Sequence, residues 1–214
     1  IPKIGFGTWQ IPDGEEVYNS VTHALKVGYR HVDTAQIYRN EVGVGRAIAD
    51  SDLARENIFL TTKIWNDKHD YDLAKASIEE SLEKLGVDYV DLLLIHWPNP
   101  KALREKDAWK AGNAGAWKAM EEAYQAGKVR AIGVSNFMIH HLEALLETAD
   151  IKPHVNQVLL APGCTQDELV AFCRQHEILL EAYSPLGTGS IFDNPVAQEL
   201  AAKYGKSVAQ LALR

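Results

Sequence analysis

The chain has 214 residues, 46% of them hydrophobic and 24% charged, which is enough apolar content for a sizeable core and excludes a disordered or collagen-like chain. Lys and Arg number 22 against 29 Asp and Glu, a balance of −7, so the composition offers no basic surface of the kind that neutralises a phosphate backbone, and nucleic acid is not the expected partner. The longest apolar run, Val90 to Ile95 broken by Asp91, falls far short of the roughly 18–20 residues that cross a bilayer, and two cysteines, Cys164 and Cys173, allow at most one disulfide, so no membrane and a reducing compartment, the cytoplasm, are expected.

In chain order, short β-branched runs alternate with helical periods. Ile4–Trp9, His31–Ala35, Ile58–Trp65, Val90–Trp97, Val129–Asn136, His154–Leu159 and Ile178–Ser184 read as strands. Their starts lie 27, 27, 32, 39, 25 and 24 residues apart, the length of a βα unit that returns the chain to a parallel strand. Between them run stripes of 3.6-residue period: Val17, Val21, Ala24 and Leu25; Ile78, Leu82 and Leu85; Trp117, Met120 and Tyr124; Leu142, Leu145 and Leu146. Gly28, Gly86 and Gly127 follow the first three stripes, where a left-handed residue ends a helix without a Cβ penalty. Strands such as Val90–Ile95 are apolar almost throughout, as in a parallel sheet covered on both faces. No linker divides the chain, and the longest irregular piece is Pro98–Ala108; a single domain over residues 1–214 is expected.

Near the end, Ser207-Val-Ala-Gln210 reads as a capping box opening a helix. At the observed spacing the next strand would lie just beyond Arg214, so an eighth βα unit is expected outside the residues given. Polar residues gather at the C-terminal ends of the strands: Asp33, Lys63, His96, Ser135 with Asn136, Gln157 and Ser184. Groups from so many strands converge on one ligand when the strands form a ring, whereas a doubly wound sheet binds at one switch point after a Gly-rich loop. Gly5-Phe-Gly7-Thr-Trp lacks the third glycine of that loop. The expected fold class is therefore α/β, a (β/α)8 TIM barrel without its eighth unit.

Taken singly, the polar residues admit two readings each. Tyr38 is a proton donor or an exposed loop tyrosine, and Asp33 is a catalytic carboxylate or a turn cap. Lys63 is a buried, paired ammonium or a side chain snorkelling to the rim; His96 is a hydrogen-bond donor or a core histidine. Together they describe one chemistry. A phenol with a reference pKa near 10 is a poor acid at neutral pH; an ammonium beside it lowers that value, and a carboxylate beyond the ammonium keeps it charged. His96 then orients a carbonyl oxygen and stabilises the charge that hydride arrival puts on it.

Other chemistries find less support. No HExxH, His-x-His or paired-Cys motif occurs, and no metal is expected. Adjacent His140 and His141 read as a solvated helix surface, and Glu79, Glu80 and Glu83 as a charged helix face. The two cysteines read as thiols without a role. Gly187-Thr-Gly-Ser190 is either an ordinary surface loop or a set of backbone N–H groups where a phosphate rests.

The sequence resembles the aldo-keto reductase family. The resemblance rests on Ile4-Gly-Phe-Gly-Thr8, Gly28–Tyr38, Thr62-Lys63, Ile95-His-Trp-Pro98, Gly133-Val-Ser-Asn136, Asn156-Gln157 and Ala182-Tyr-Ser-Pro-Leu-Gly187, in family order across almost the whole chain. It implies a (β/α)8 barrel that reduces aldehydes and ketones with a nicotinamide nucleotide, usually NADPH, on a small-molecule carbonyl substrate and as a monomer. It implies a tetrad of Asp33, Tyr38, Lys63 and His96 with Tyr38 the general acid. Thr8 and Asp33 are implied as cofactor contacts, Ser135, Asn136 and Gln157 as holding the carboxamide of the nicotinamide, Tyr183 as the residue stacked on its ring, and Ser184, Leu186 and Gly187 as contacts to the pyrophosphate. Trp9, Trp65 and Trp97 match positions walling the substrate pocket. The branch is similar to bacterial reductases of diketogluconate and small dicarbonyls. Val158-Leu-Leu-Ala-Pro162 departs from the family pattern, and the N-terminal hairpin and the eighth-strand loop that holds the adenosine 2′-phosphate in relatives are not among these residues. A catalytically silent nucleotide-binding relative, or an inert fragment of a reductase, is the alternative.

Overall fold

The computed structural model describes residues 1–214, apart from the side chain of Lys106. They fall into two compact units, residues 1–154 and 155–214. In the first, strands β1 (Phe6–Gly7), β2 (His31–Asp33), β3 (Phe59–Ile64), β4 (Leu92–Ile95) and β5 (Ile132–Ser135) alternate with helices α1 (Glu15–Lys26), α2 (Glu41–Ala49), α3 (Tyr71–Leu85), α4 (Ala108–Gln125) and α5 (Ile139–Leu146). Neighbouring strands pair in parallel, β1 to β5 in order. In the second, β6 (Val155–Leu159) and β7 (Leu179–Tyr183) pair in parallel, with α6 (Asp167–Gln175) between them and α7 (Pro195–Tyr204) and α8 (Val208–Ala212) after them.

The strands are shorter than the apolar runs that announce them, although hydrogen bonds to the neighbouring segment continue past their ends, as from the Asp91 N–H to the Leu60 carbonyl at 2.9 Å and from the His96 N–H to the Ile64 carbonyl at 3.1 Å. The fourth run, for instance, narrows to Leu92–Ile95, all four residues buried. In β3, Leu60, Thr61, Thr62, Lys63 and Ile64 are buried as well, which needs cover on both faces. Helix α3 supplies part of it with Ala74, Ile78, Leu82 and Leu85. That helix starts where Asp70 Oδ1 accepts from the N–H groups of Asp72 (3.0 Å) and Leu73 (3.3 Å) and stops at Gly86, φ 63°.

The capping box at Ser207 forms as the pattern predicts: Gln210 N–H donates to Ser207 Oγ at 3.1 Å and Ser207 N–H to Gln210 Oε1 at 3.0 Å. Both cysteines are free thiols, Cys173 buried and Cys164 half-buried. Glu79 and Glu80 lie exposed and pair with Lys128 and Lys84. One expectation is corrected. His141 is not solvated but buried, its ring packed on Trp109 and Phe137 and 3.8 Å from that of His140; its Nδ1 accepts the Met138 N–H that opens α5. Among the described residues no helix is long and apolar enough to cross a membrane.

Candidate active site

Parallel strands bring their C-terminal ends to one side, and the candidate residues of the first unit stand there. Asp33 ends β2, Lys63 is the penultimate residue of β3, His96 follows β4, Ser135 ends β5, and Tyr38 closes a single 3₁₀ turn, 36–38, shortly after β2. Lys63 is 1% exposed. Its Nζ donates to Asp33 Oδ1 at 2.5 Å and to the Thr34 carbonyl at 2.9 Å, and lies 3.5 Å from Tyr38 Oη. A buried ammonium is costly unless it is paired and hydrogen-bonded; Asp33 and Thr34 meet that need, so Lys63 points inward and does not snorkel.

The His96 ring is buried edge-on against Tyr38 and Trp65, with centroids 5.7 and 5.1 Å away. Burial, assisted by the Lys63 ammonium, drives its pKa down to about 3, so at neutral pH it is an uncharged imidazole able to donate one N–H. For Tyr38 the sequence argument foresees a phenol made more acidic by Lys63. Lys63 does pull that way, but burial pushes harder, and the net displacement is upward. Tyr38 is thus a firmly protonated phenol whose conjugate base has an ammonium waiting for it.

Thr8 is fully buried, and its N–H and hydroxyl both reach the Asp33 carbonyl, at 2.9 and 3.1 Å. It ties the ends of β1 and β2 together. Asn136, in the left-handed region at φ 63°, donates from Nδ2 to the His96 carbonyl at 3.0 Å and to Ser135 Oγ at 3.1 Å. Trp9, Trp65 and Trp97 each stand just past a strand's C-terminal end, Trp65 half-buried and the other two exposed.

Three residues that sequence reasoning passes over hold the Tyr38 turn. Asn40 Nδ2 donates to the carbonyls of Thr8 and Ile11, and its Oδ1 accepts from Thr34 Oγ1. Gln36 Oε1 accepts the Trp65 N–H, while its Nε2 donates to Ser77 O and Ser81 Oγ. Glu41 is a buried carboxyl bonded by Thr62 Oγ1. The only trace of them in the sequence is that three polar residues crowd around one tyrosine between two apolar elements.

In the second unit, Gln157 lies buried in β6 and donates from Nε2 to Glu181 Oε1 at 2.7 Å. Tyr183 ends β7, half-buried. After it Ser184, Gly187, Thr188 and Gly189 all have positive φ, and the N–H groups of Gly187 and Gly189 donate to the carbonyls of Ser184 and Leu186 within the loop. Residues 184–192 contain no charged side chain, and Leu186 sits half-buried among them. Hydroxyl and amide side chains beside a loop that carries no carboxylate to repel an anion suit an amide-bearing, phosphorylated ligand, so the residues present fit a nicotinamide nucleotide.

The family model "Aldo/keto reductase family" matches residues 3–214. A glyoxal reductase of Bacillus subtilis (strain 168) is 49% identical over the whole chain, which spans 74% of that protein. A crystal structure of an aldo/keto reductase from Brucella melitensis is 46% identical with a TM-score of 0.91, covering 100% of this chain and 79% of that one. A Gox0644 variant solved in complex with NADPH is 38% identical with a TM-score of 0.88, covering 99% of this chain and 73% of that one. The parallel strands alternating with helices are α/β, as in these carbonyl-reducing oxidoreductases. The chain belongs to the aldo/keto reductase family.

Proposed function

We propose that the chain reduces aldehydes and ketones, small dicarbonyls and keto sugars among them, to alcohols with NADPH, and that Tyr38 is the general acid. The observation that carries this reading is the chain Tyr38–Lys63–Asp33, 3.5 and 2.5 Å between successive polar atoms, beside a neutral His96. NADPH supplies the hydride when bound. Tyr38 Oη gives its proton to the carbonyl oxygen as the C–O bond turns into an alcohol. The phenolate left behind is stabilised by Lys63, which Asp33 holds as an ammonium. His96, uncharged, donates a hydrogen bond to the same oxygen and fixes which way the carbonyl points. Trp9, Trp65 and Trp97 supply apolar walls suited to a small carbonyl compound.

Thr8 and Asp33 are proposed as cofactor contacts, and Ser135, Asn136 and Gln157 as holding the carboxamide of the nicotinamide. Tyr183 would stack on the nicotinamide ring, and Ser184, Leu186 and Gly187 would contact the pyrophosphate. The NADPH complex of the Gox0644 variant supports the cofactor, the name of the Bacillus relative the dicarbonyl. The two free thiols suit the cytoplasm; a monomer is the state to check by sedimentation.

Tyr38→Phe is expected to lower kcat for glyoxal by at least about 100-fold while the Kd for NADPH stays within about twofold, because only a proton transfer made in the transition state is lost. Undiminished turnover by that variant would overturn the assignment, and equal kcat/KM with NADH would overturn the cofactor preference.

A further inference from the structure

The reaction uses Tyr38, Lys63, Asp33 and His96, yet the turn that carries Tyr38 is bonded to β3 through residues that touch none of the reacting atoms. In β3, side chains alternate between faces, so Lys63 and Thr62 point opposite ways. Lys63 reaches Asp33 and Tyr38 on one side. Thr62 Oγ1, on the other, donates to Glu41 Oε1 at 2.6 Å, and Glu41 is only 2% exposed. Gln36, on the other flank of Tyr38, donates from Nε2 to Ser81 Oγ at 3.0 Å and to the Ser77 carbonyl at 3.0 Å. Gln36 Oε1 accepts the Trp65 N–H at 2.9 Å. The segment that carries Tyr38 is therefore tied to β3 at Thr62 through Glu41, and just past the strand's end, at Trp65, through Gln36, one bond on either side of Lys63.

We propose that Gln36 and Glu41, with Ser81 holding the Gln36 amide, are positioning residues: their bonds to Trp65 and Thr62 clamp the Tyr38 turn to β3 on both sides of Lys63 and so set the separation of Tyr38 Oη from Lys63 Nζ. Gln36 and Tyr38 sit at the two ends of one 3₁₀ turn, so a shift of Gln36 moves Tyr38 with it. The 3.5 Å between Oη and Nζ already lies at the outer limit of a hydrogen bond, and any further retreat weakens the stabilisation of the phenolate. Misplacement of about 1 Å at a reacting group costs up to about 100-fold in rate. The inference rests on the proposed role of Tyr38.

The test is a double-mutant cycle on glyoxal reduction with NADPH. Gln36→Ala is expected to lower kcat by about 10- to 100-fold, with KM for glyoxal within about twofold. In a Tyr38→Phe background the same change is expected to alter the residual rate by less than about twofold, since nothing is left for it to position. Ser81→Ala, a smaller excision, is expected to show a weaker loss with the same non-additivity, and it keeps the test valid if Gln36→Ala does not fold. An equal fractional loss in both backgrounds, or no loss from either variant beside an intact Tyr38, would overturn the inference and leave Tyr38 as the acid. Full activity in Tyr38→Phe alone would overturn both.

Discussion

At the scale of single residues, charge and burial decide what each group can do. His96 carries no charge above about pH 3, because burial and the nearby Lys63 ammonium both oppose a second cation. A protonation that does not occur leaves no trace in a rate profile. Glyoxal reduction is therefore expected to show kcat/KM level from about pH 5.5 to 9, with no limb near the ordinary imidazole value of about 6.5. A limb at that value would show His96 titrating and remove it as a neutral donor. Asp33 works the other way: it permits a charge. Asp33→Asn would leave the Lys63 ammonium, 1% exposed, without a counter-charge, and removal of one partner from a buried pair costs about 3–5 kcal/mol. A urea midpoint showing a loss of that size is expected. The exposed pair Arg46–Glu15, 49% and 73% exposed, serves as the control, because Glu15→Gln should change stability by less than about 1 kcal/mol.

At the scale of elements, packing overrides propensity, and α2 shows it. Its sequence, Glu-Val-Gly-Val-Gly-Arg-Ala-Ile-Ala, has two glycines in nine residues, which is why no helical stripe is legible there. The glycines are required by neighbours. A Cβ on Gly45 would stand 2.2 Å from the Leu85 carbonyl oxygen, where α3 ends, and one on Gly43 2.4 Å from Val17 of α1. Gly45→Ala should gain about 1 kcal/mol of helix propensity, yet it meets backbone that cannot swing away. A net destabilisation of about 1–3 kcal/mol is expected, read as a lowered Tm; a raised Tm would mean that α2 and α3 can part without cost. The contrast marks what a sequence carries. Strands at the hydrophobic runs, the helix stop at Gly86 and the capping box at Ser207 were legible because each is written in residues close along the chain. The gathering of Asp33, Tyr38, Lys63 and His96 was legible through family motifs. Gln36, Asn40 and Glu41 were not, since their partners, Trp65, Thr8 and Thr62, lie 29, 32 and 21 residues away and no period links them. His141 was misread for a related reason: the ring of Trp109 that buries it comes from another helix.

At the scale of the whole first unit, the buried histidines set how it meets acid. His69 is 7% exposed with both ring nitrogens unpartnered among the described residues, and burial lowers its pKa to about 4. His141 is lowered to about 4 as well, by burial and then by His140, and His96 to about 3. In the unfolded chain each of them takes up a proton near pH 6.5. Between that value and the folded one the unfolded chain holds the extra protons, so stability rises with pH across the interval. The stabilisation is complete above about pH 6.5 and drains as pH falls to about 4 for His69 and His141, and to about 3 for His96. Each proton is worth about 1.4 kcal/mol per pH unit in the steep part. Glu41 runs the opposite way, since burial raises its pKa above the ordinary carboxyl value, but it is one group against these three histidines and His31, which burial lowers as well. All five tryptophans, residues 9, 65, 97, 109 and 117, lie in this unit, so their fluorescence reports its unfolding. Urea midpoints followed that way are expected to hold steady from pH 8 to 7 and to fall steadily from 6.5 to 4. His69→Asn should flatten the fall by about one proton without moving the level rate profile above pH 5.5. An unchanged slope in that variant would mean that His69 is protonated in the folded protein, with a partner that compensates its charge.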